Sequence, residues 1–346
     1  MTLRFSAPGK MVIAGEYAVL EGHPALSAAV DVRASCSAED DDCLRVSAMG
    51  LGPYSASEDG QRVHFAEDRT GAFSLVSEVL TAARRYGISL PKQHLRIESA
   101  DFQISHLGDT LKLGVGSSAA VAVALTAALV GDVRRADLSK IFQIALHGHL
   151  RFSGGRGSGI DVATSVFGGT VRFERSQDSP LPAVDPWDFC PTGLVPVVAF
   201  AGKSVSTRAF IEKLSRFAAT HRDGYLRAIH RIATATEELL DGCGAERIPE
   251  VFIAGIQRCG SAMRQLGIDA DMDVVSAPHR EIAKIAAQHD GAAKPSGAGG
   301  GDIAIAFVPI QNRESLAQRL RASGFPVLSL ELGSPGVRRD EPAATD

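Results

Sequence analysis

No two cysteines in this chain are spaced as CxxC, and their total of five (Cys36, Cys43, Cys190, Cys243, Cys259) is odd. That pattern argues against a disulfide framework and against a zinc site of paired thiolates. The thiols are expected to stay reduced and to pack as small hydrophobes. Charge of one sign is also scarce, since 36 Lys and Arg stand against 40 Asp and Glu for a net charge of -4. A basic face for nucleic acid is therefore not expected, and any anion site must be local, built from a few donors. No apolar run approaches the ~18 residues of a membrane span, and MTLRFSAPGK lacks the apolar core of a signal peptide. The expectation is a reduced, cytoplasmic protein with no membrane partner. Repeats and long low-complexity segments are absent as well.

What is present is length and core-forming material. The 346 residues suffice for one large or two ordinary domains, and 45 % of them are hydrophobic. Residues 11–14 and 25–36 alternate or run apolar, as strands do. Phe73, Val76, Val79, Leu80 and Ala83 recur at helical spacing, which predicts an amphipathic helix over 72–86 closed by Gly87. The apolar run 119–130 predicts a buried helix, 138–150 a second one, and 165–174 a strand pair turning at Gly168-Gly169. The acidic stretch Glu39 to Asp42 reads as a solvated turn. Residues 176–193, with four prolines, form the best domain boundary. A strand over 194–201 follows, then several helices to about 289, a strand at 303–308, a helix and a last strand. The polar tail after Leu332 is expected to fray. This order predicts an α+β fold of two domains, 1–180 and 194–333, with a tail over 334–346 and a cleft between the domains as the site.

Three glycine-rich segments carry the chemistry. In the first, Ala7-Pro8-Gly9-Lys10 leads into MVIAGEYAVLEG. A lysine held between an ordered turn and a strand projects a fixed positive charge, suited to a transferring phosphoryl group. The second is Gly114-Val115-Gly116-Ser117-Ser118-Ala119-Ala120, directly before the apolar helix. Glycines let the backbone approach a ligand, and the helix behind offers unpaired N–H groups to an anion. Ser117 and Ser118 add hydroxyls, a hard-oxygen ligand type that Mg²⁺ prefers. No Gly-Lys-Ser/Thr ends the loop, so it is not a Walker A motif. The third is Ser296-Gly297-Ala298-Gly299-Gly300-Gly301-Asp302, running into the strand IAIAFV. Lys112, two residues before the middle loop, is within reach of a phosphate. His147 and His149 lie two apart on a predicted helix, do not share a face, and so are not expected to form a metal pair.

These three motifs, in this order and spacing, resemble those of the GHMP kinases over nearly the whole chain. The resemblance implies an N-terminal domain similar to the second domain of ribosomal protein S5 and a ferredoxin-like C-terminal domain. It also implies ATP and Mg²⁺, with the phosphates on Lys112, Gly114, Val115, Gly116, Ser117, Ser118 and Ala119, and Ser118 toward the metal. The stretch GSGIDVA resembles the segment whose aspartate is the proposed base in mevalonate and phosphomevalonate kinases. Carried over, that is Asp161, paired with Lys10 as the catalytic groups. Glu16, Tyr17, Ser158, Gly159, Ser206, Thr207, Arg208, Ser296, Gly297, Ala298, Gly299, Gly300 and Asp302 are expected around the substrate. Within the family, GEYA, the Asp302 ending of SGAGGGD and the gapless spacing from His149 to Asp161 resemble phosphomevalonate kinases more than mevalonate kinases. The implied substrate is 5-phosphomevalonate. The alternatives are a mevalonate kinase or a binding protein of the same fold without catalysis. No acidic residue lies between Lys140 and Asp161 to supply a metal-binding glutamate. A small-molecule partner and a monomer or homodimer complete the expectation.

Overall fold

The computed structural model describes residues 2–341 apart from 107–108, 135, 156, 176–178, 180, 189–190, 192, 203–206 and 243–247; the side chains at 106, 109 and 207–209 are also outside the description. The chain opens with two long strands, β1 (Leu3–Ala14) and β2 (Ala25–Asp40), paired antiparallel with Phe5 opposite Cys36 and Lys10 opposite Ala29. Their register shifts between Pro8 and Gly9, directly before Lys10. Such a bulge bends the strand and re-aims the side chains that follow. A meander of β3 (Arg45–Ala48), β4 (Leu51–Asp59) and β5 (Arg62–Phe65) leads to helix α1 (Ser74–Arg85). Helix α1 buries Val76, Val79, Leu80 and Ala83. Gly87 follows it at φ +77°, and the Ile88 N–H donates to the Ala83 carbonyl at 3.0 Å, the glycine-closed end that the spacing predicts.

Strand β6 (Gln93–Glu98) and the hairpin β7 (Gln103–His106) with β8 (Asp109–Lys112) come next. Three helices follow: α2 (Ser117–Val130), α3 (Leu138–Phe152) and α4 (Ile160–Phe167). Strands β9 (Thr170–Glu174) and β10 (Ala183–Pro186) complete this half. The larger sheet runs β10-β9-β2-β6-β3-β4-β5, with β1 on the other edge of β2. Helix α2 is apolar on all sides and is buried accordingly, between the sheet and the helices α3 and α4.

The second half holds β11 (Leu194–Phe200), then α5 (Thr207–Thr220), α6 (Arg222–Gly242), α7 (Pro249–Asp269) and α8 (Ala277–Ala287). It continues with β12 (Ala292–Pro295), β13 (Ile303–Pro309), α9 (Arg313–Ala322) and β14 (Val327–Leu328). The smaller sheet is antiparallel in the order β12-β13-β11-β14, a ferredoxin-like arrangement. One core cluster draws on both halves, joining Met11, Ile13 and Phe102 to Phe200, Met263, Val274 and Ile305. The α+β architecture expected from the order of elements is therefore present, with the two sheets meeting along a shared core.

Four expectations are corrected. The strand pair over 165–174 is a strand only from Thr170; residues 160–167 are helical. The β-branched run gives way because Ile160, Val162, Ala163 and Val166 are buried in one helical turn pattern. The Thr164 hydroxyl donates back to the Ile160 carbonyl, and Ser165 Oγ donates to the Pro8 carbonyl at 2.7 Å. The larger sheet also runs past residue 180, because β10 pairs with β9. A strand not foreseen, β12, precedes the third motif. Finally, the tail does not fray over 333–340: β15 (Arg338–Asp340) pairs with β1. Arg33 donates to the carbonyls of Pro335 and Gly336 at 2.7 and 2.8 Å. A Cβ at Gly336 would lie 2.2 Å from the Val166 carbonyl, so glycine is what lets the tail lie against α4. Residues 342–346 lie outside the described residues.

Candidate active site

The middle motif links β8 to α2. Gly114 and Gly116 both have positive φ, at +73° and +81°, and Gly116 stands at the N-cap of α2 with no side-chain cap. The first N–H groups of α2 are thus left for a ligand, at the positive end of the helix dipole. Close approach explains both glycines. A Cβ at Gly114 would fall 2.6 Å from Asp302 Cβ, and one at Gly116 would fall 3.1 Å from Lys10 Cγ. The third motif and the lysine of the first therefore pack directly onto this loop.

Lys10 follows the bulge in β1. Its N–H donates to the Val115 carbonyl at 2.8 Å, which ties the strand to the loop. Gly9 makes that possible, since a Cβ there would sit 2.6 Å from the same carbonyl oxygen. The Lys10 side chain runs beside Gly116, and its Nζ is 3.6 Å from where a Cβ at Gly297 would stand. Among the described residues no carboxylate lies within ion-pair distance of Lys10. The expected pairing with Asp161 is a correction: both line one cavity, but Asp161 faces His149 instead. Its Oδ2 is 3.8 Å from His149 Nε2, while Oδ1 accepts the N–H of Val162 at 2.9 Å. Gly159 at φ +88° starts α4 and aims Asp161, in the first helical turn, into the cavity. Ser118 Oγ lies 3.0 Å from the same Nε2.

The third motif is stitched to β1 and the segment after it. Ser296 Oγ accepts the Val12 N–H at 2.9 Å and donates to the Val12 carbonyl at 3.0 Å. The Tyr17 hydroxyl donates to the Ala298 carbonyl, and the buried Lys294 ammonium pairs with the buried Glu16 carboxylate. Among the described residues Glu16 Oε2 has no hydrogen-bond partner, and Tyr17 holds a left-handed backbone at φ +66°. Strain of that kind costs about 1–3 kcal/mol and is kept where surrounding contacts over-determine it. Burial first, then the Glu16 carboxylate, pushes the Tyr17 phenol well above its ordinary range. Gly299 packs on the Val274 carbonyl, to which Gly300 donates at 2.9 Å.

One cavity of about 520 Å³ collects most of these groups. Lys10, Glu16, Tyr17, Lys112, Gly114, Gly116, Ser117, Ser118, Ser158, Asp161, Gly297, Ala298 and Asp302 line it. Other expected site residues stand behind its wall. Val115 and Ala119 are buried in the core, Gly159 caps α4, and Ser296, Gly299 and Gly300 serve the seam. Ser206 lies outside the described residues; Thr207 and Arg208 open α5, and their side chains are outside the description. Sequence reasoning missed three features. His149 lines the cavity at 9 % exposure, Val12, Leu20, Phe152 and Ile211 give it apolar walls, and Lys294 holds Glu16 from behind. His147, by contrast, turns outward to Tyr86. That separation follows from helical spacing, but nothing in the spacing says which of the two histidines faces inward.

Residues 74–169 match the family model described as the GHMP kinases N terminal domain. The chain is 28 % identical to the phosphomevalonate kinase of Streptomyces sp. (strain CL190), over 96 % of this chain and 97 % of that protein. It is 27 % identical to the mevalonate kinase of Pyrococcus furiosus, over 97 % and 98 %. The solved structure of Streptococcus pneumoniae phosphomevalonate kinase in complex with phosphomevalonate and AMPPNP matches with a TM-score of 0.76 at 18 % identity, covering 95 % and 99 %. These relatives, matched over nearly their whole length, are kinases, which supports an ATP-dependent kinase. Residues 74–169 thus carry a GHMP kinase N-terminal domain, and over nearly its whole length the chain is similar to kinases of the mevalonate pathway.

Proposed function

We propose that this kinase transfers the γ-phosphoryl group of ATP to the phosphate of (R)-5-phosphomevalonate, giving mevalonate 5-diphosphate and ADP, a step of the mevalonate pathway of isoprenoid biosynthesis. The observation that carries the reading is the junction of the three motifs at Gly114, Gly116 and Gly297. There Lys10 and Asp302 meet the N-terminus of α2. In the transfer, the bond between the γ-phosphorus and its bridging oxygen to the β-phosphate breaks as an acceptor oxygen bonds to that phosphorus. A phosphate monoester has a second pKa of about 6, so the acceptor oxygen is already largely ionised at neutral pH. The chief task is then to bring two polyanions together. Lys10, Lys112 and the first N–H groups of α2 are placed to do this, and the seam to the third motif keeps Lys10 in place.

The cavity also suits a divalent cation. Among the described residues no group of three His, Cys, Asp or Glu side chains gathers as a protein-only metal cage. The hydroxyl of Ser118 and the cavity-facing Oδ2 of Asp161 are hard donors of the type Mg²⁺ takes alongside water and phosphate oxygens. Mg²⁺, when bound, supplies charge neutralisation to the phosphates. The near-equal match to a mevalonate kinase supports a second reading, transfer to the 5-hydroxyl of mevalonate, with Asp161 as general base. ADP release with ATP and Mg²⁺, measured on 5-phosphomevalonate and on mevalonate in parallel, separates the two. Turnover on the phosphorylated acceptor alone is expected; turnover on mevalonate alone would replace the first reading with the second.

A further inference from the structure

We propose that His149 is a positioning residue of this kinase, one that sets the direction of the Ser118 hydroxyl and of the cavity-facing oxygen of Asp161. The proposal rests on the kinase reading of the site given above. His149 sits in the last turn of α3, is only 9 % exposed, and lines the cavity. Its Nε2 is the meeting point of two groups from different elements: Ser118 Oγ at 3.0 Å from α2, and Asp161 Oδ2 at 3.8 Å from α4. Because Asp161 Oδ1 is engaged by the Val162 N–H, Oδ2 is the oxygen left to act in the cavity. Burying a polar ring is costly unless it finds partners, and these two are the partners it has on the cavity side.

A serine hydroxyl is a free rotor, and its donor and acceptor directions are set by whatever it bonds. Both tautomers of the ring stop that rotor. With hydrogen on Nε2, the ring donates to Ser118 Oγ and presents the same N–H toward the Asp161 carboxylate. With Nε2 bare, Ser118 donates to the ring and turns its lone pairs toward the cavity. In each case the ring supplies, from α3, an orienting group where the chain has no acidic residue between Lys140 and Asp161. Without it, Ser118 is free to rotate and Asp161 to swing, and the loop loses alignment rather than charge.

The test uses the full chain with His149→Phe, which fills the space without ring nitrogens, and His149→Gln, which restores a polar atom near the Nε2 position. Two readouts are taken. In steady-state kinetics, His149→Phe is expected to lower kcat by about 30- to 100-fold, the scale of a small misplacement at a reacting centre. Its KM for the acceptor stays within about threefold, and His149→Gln recovers most of the loss. In fluorescence titration with a labelled ADP, Mg²⁺ is expected to tighten binding to the wild type and to His149→Gln. The tightening falls by about tenfold in His149→Phe, the scale of an orienting partner's loss behind a metal ligand. Wild-type behaviour of His149→Phe in both readouts overturns the proposal. So does equal impairment of the two variants with matching losses in melting temperature, which marks a packing role. Absence of turnover by the wild type on either acceptor removes the proposed function, and the titration then decides the role of His149 by itself.

Discussion

Two lysines flank the cavity from opposite sheets, and they are held in opposite ways. Lys294, at the end of β12, is 1 % exposed and closes on the buried carboxylate of Glu16 and, at 2.7 Å, on the Pro295 carbonyl. Lys10, after the bulge in β1, lines the cavity beside Gly116 and Gly297 with no described carboxylate in ion-pair reach. A charge whose partner is within the protein is neutralised and serves structure. A charge held by its stem, with its head toward a cavity, keeps its field for a ligand. The seam between the sheets and the proposed phosphate site thus use the same residue type for separate ends.

That contrast can be broken. Lys10→Ala is expected to lower kcat by about 10³-fold while leaving the melting temperature within a degree or two, as for removal of a charge-stabilising donor. Asp161→Asn is expected to cost no more than about 10²-fold, because an ionised acceptor needs little help from a base. A larger loss at Asp161 than at Lys10 points to an alcohol acceptor, and hence to mevalonate. Lys294→Met should do the reverse of Lys10→Ala. It leaves the Glu16 charge buried without a partner and is expected to cost about 3–5 kcal/mol in urea unfolding. The double variant Lys294→Met/Glu16→Leu is expected to regain much of that loss. An unchanged midpoint for Lys294→Met would mean that the pair is not what holds the seam.

A third, smaller effect extends the contrast to a group kept neutral chiefly by burial. His279 in α8 is 1 % exposed, lies 2.8 Å by Nδ1 from Ser276 Oγ, and burial pushes its pKa down to about 4 from 6.5. The folded state therefore resists the proton that the unfolded chain takes up. The stability this provides is whole above about pH 6.5 and is lost as pH falls toward 4, by up to about 3 kcal/mol. His279→Gln is expected to flatten that slope in unfolding titrations between pH 7 and 4. A slope identical to that of the wild type would assign the acid sensitivity elsewhere.

Much of this is legible in the amino-acid sequence. The apolar run after Ser118 is helical because an all-round apolar segment of that length can only be buried, and α2 is. The amphipathic spacing of α1 and its glycine end were equally plain. Helix α4 was not, because Val-Ala-Thr-Ser-Val-Phe favours a strand locally and becomes helical only where β1, α2 and β9 bury it. Nor was the docking of 333–340, where close glycine backbones and Arg33, some 300 residues away, hold a segment that composition alone reads as frayed.

The sequence alone set the list of parts: three glycine-rich loops, a lysine after a Pro-Gly turn, an aspartate in the GSGIDVA stretch, and most of the helices and strands between them. These are local properties, set by backbone freedom and by short-range periodicity. Only the tertiary structure decided which parts face one another. It turned Asp161 toward His149 rather than Lys10, gave Glu16 to Lys294, laid Asp302 on Gly114, and chose His149 over His147 for the cavity. The reason is physical: each of those pairings joins elements far apart in the chain. Their geometry is set by packing two sheets on a shared core, and short-range sequence pattern carries no record of that distance.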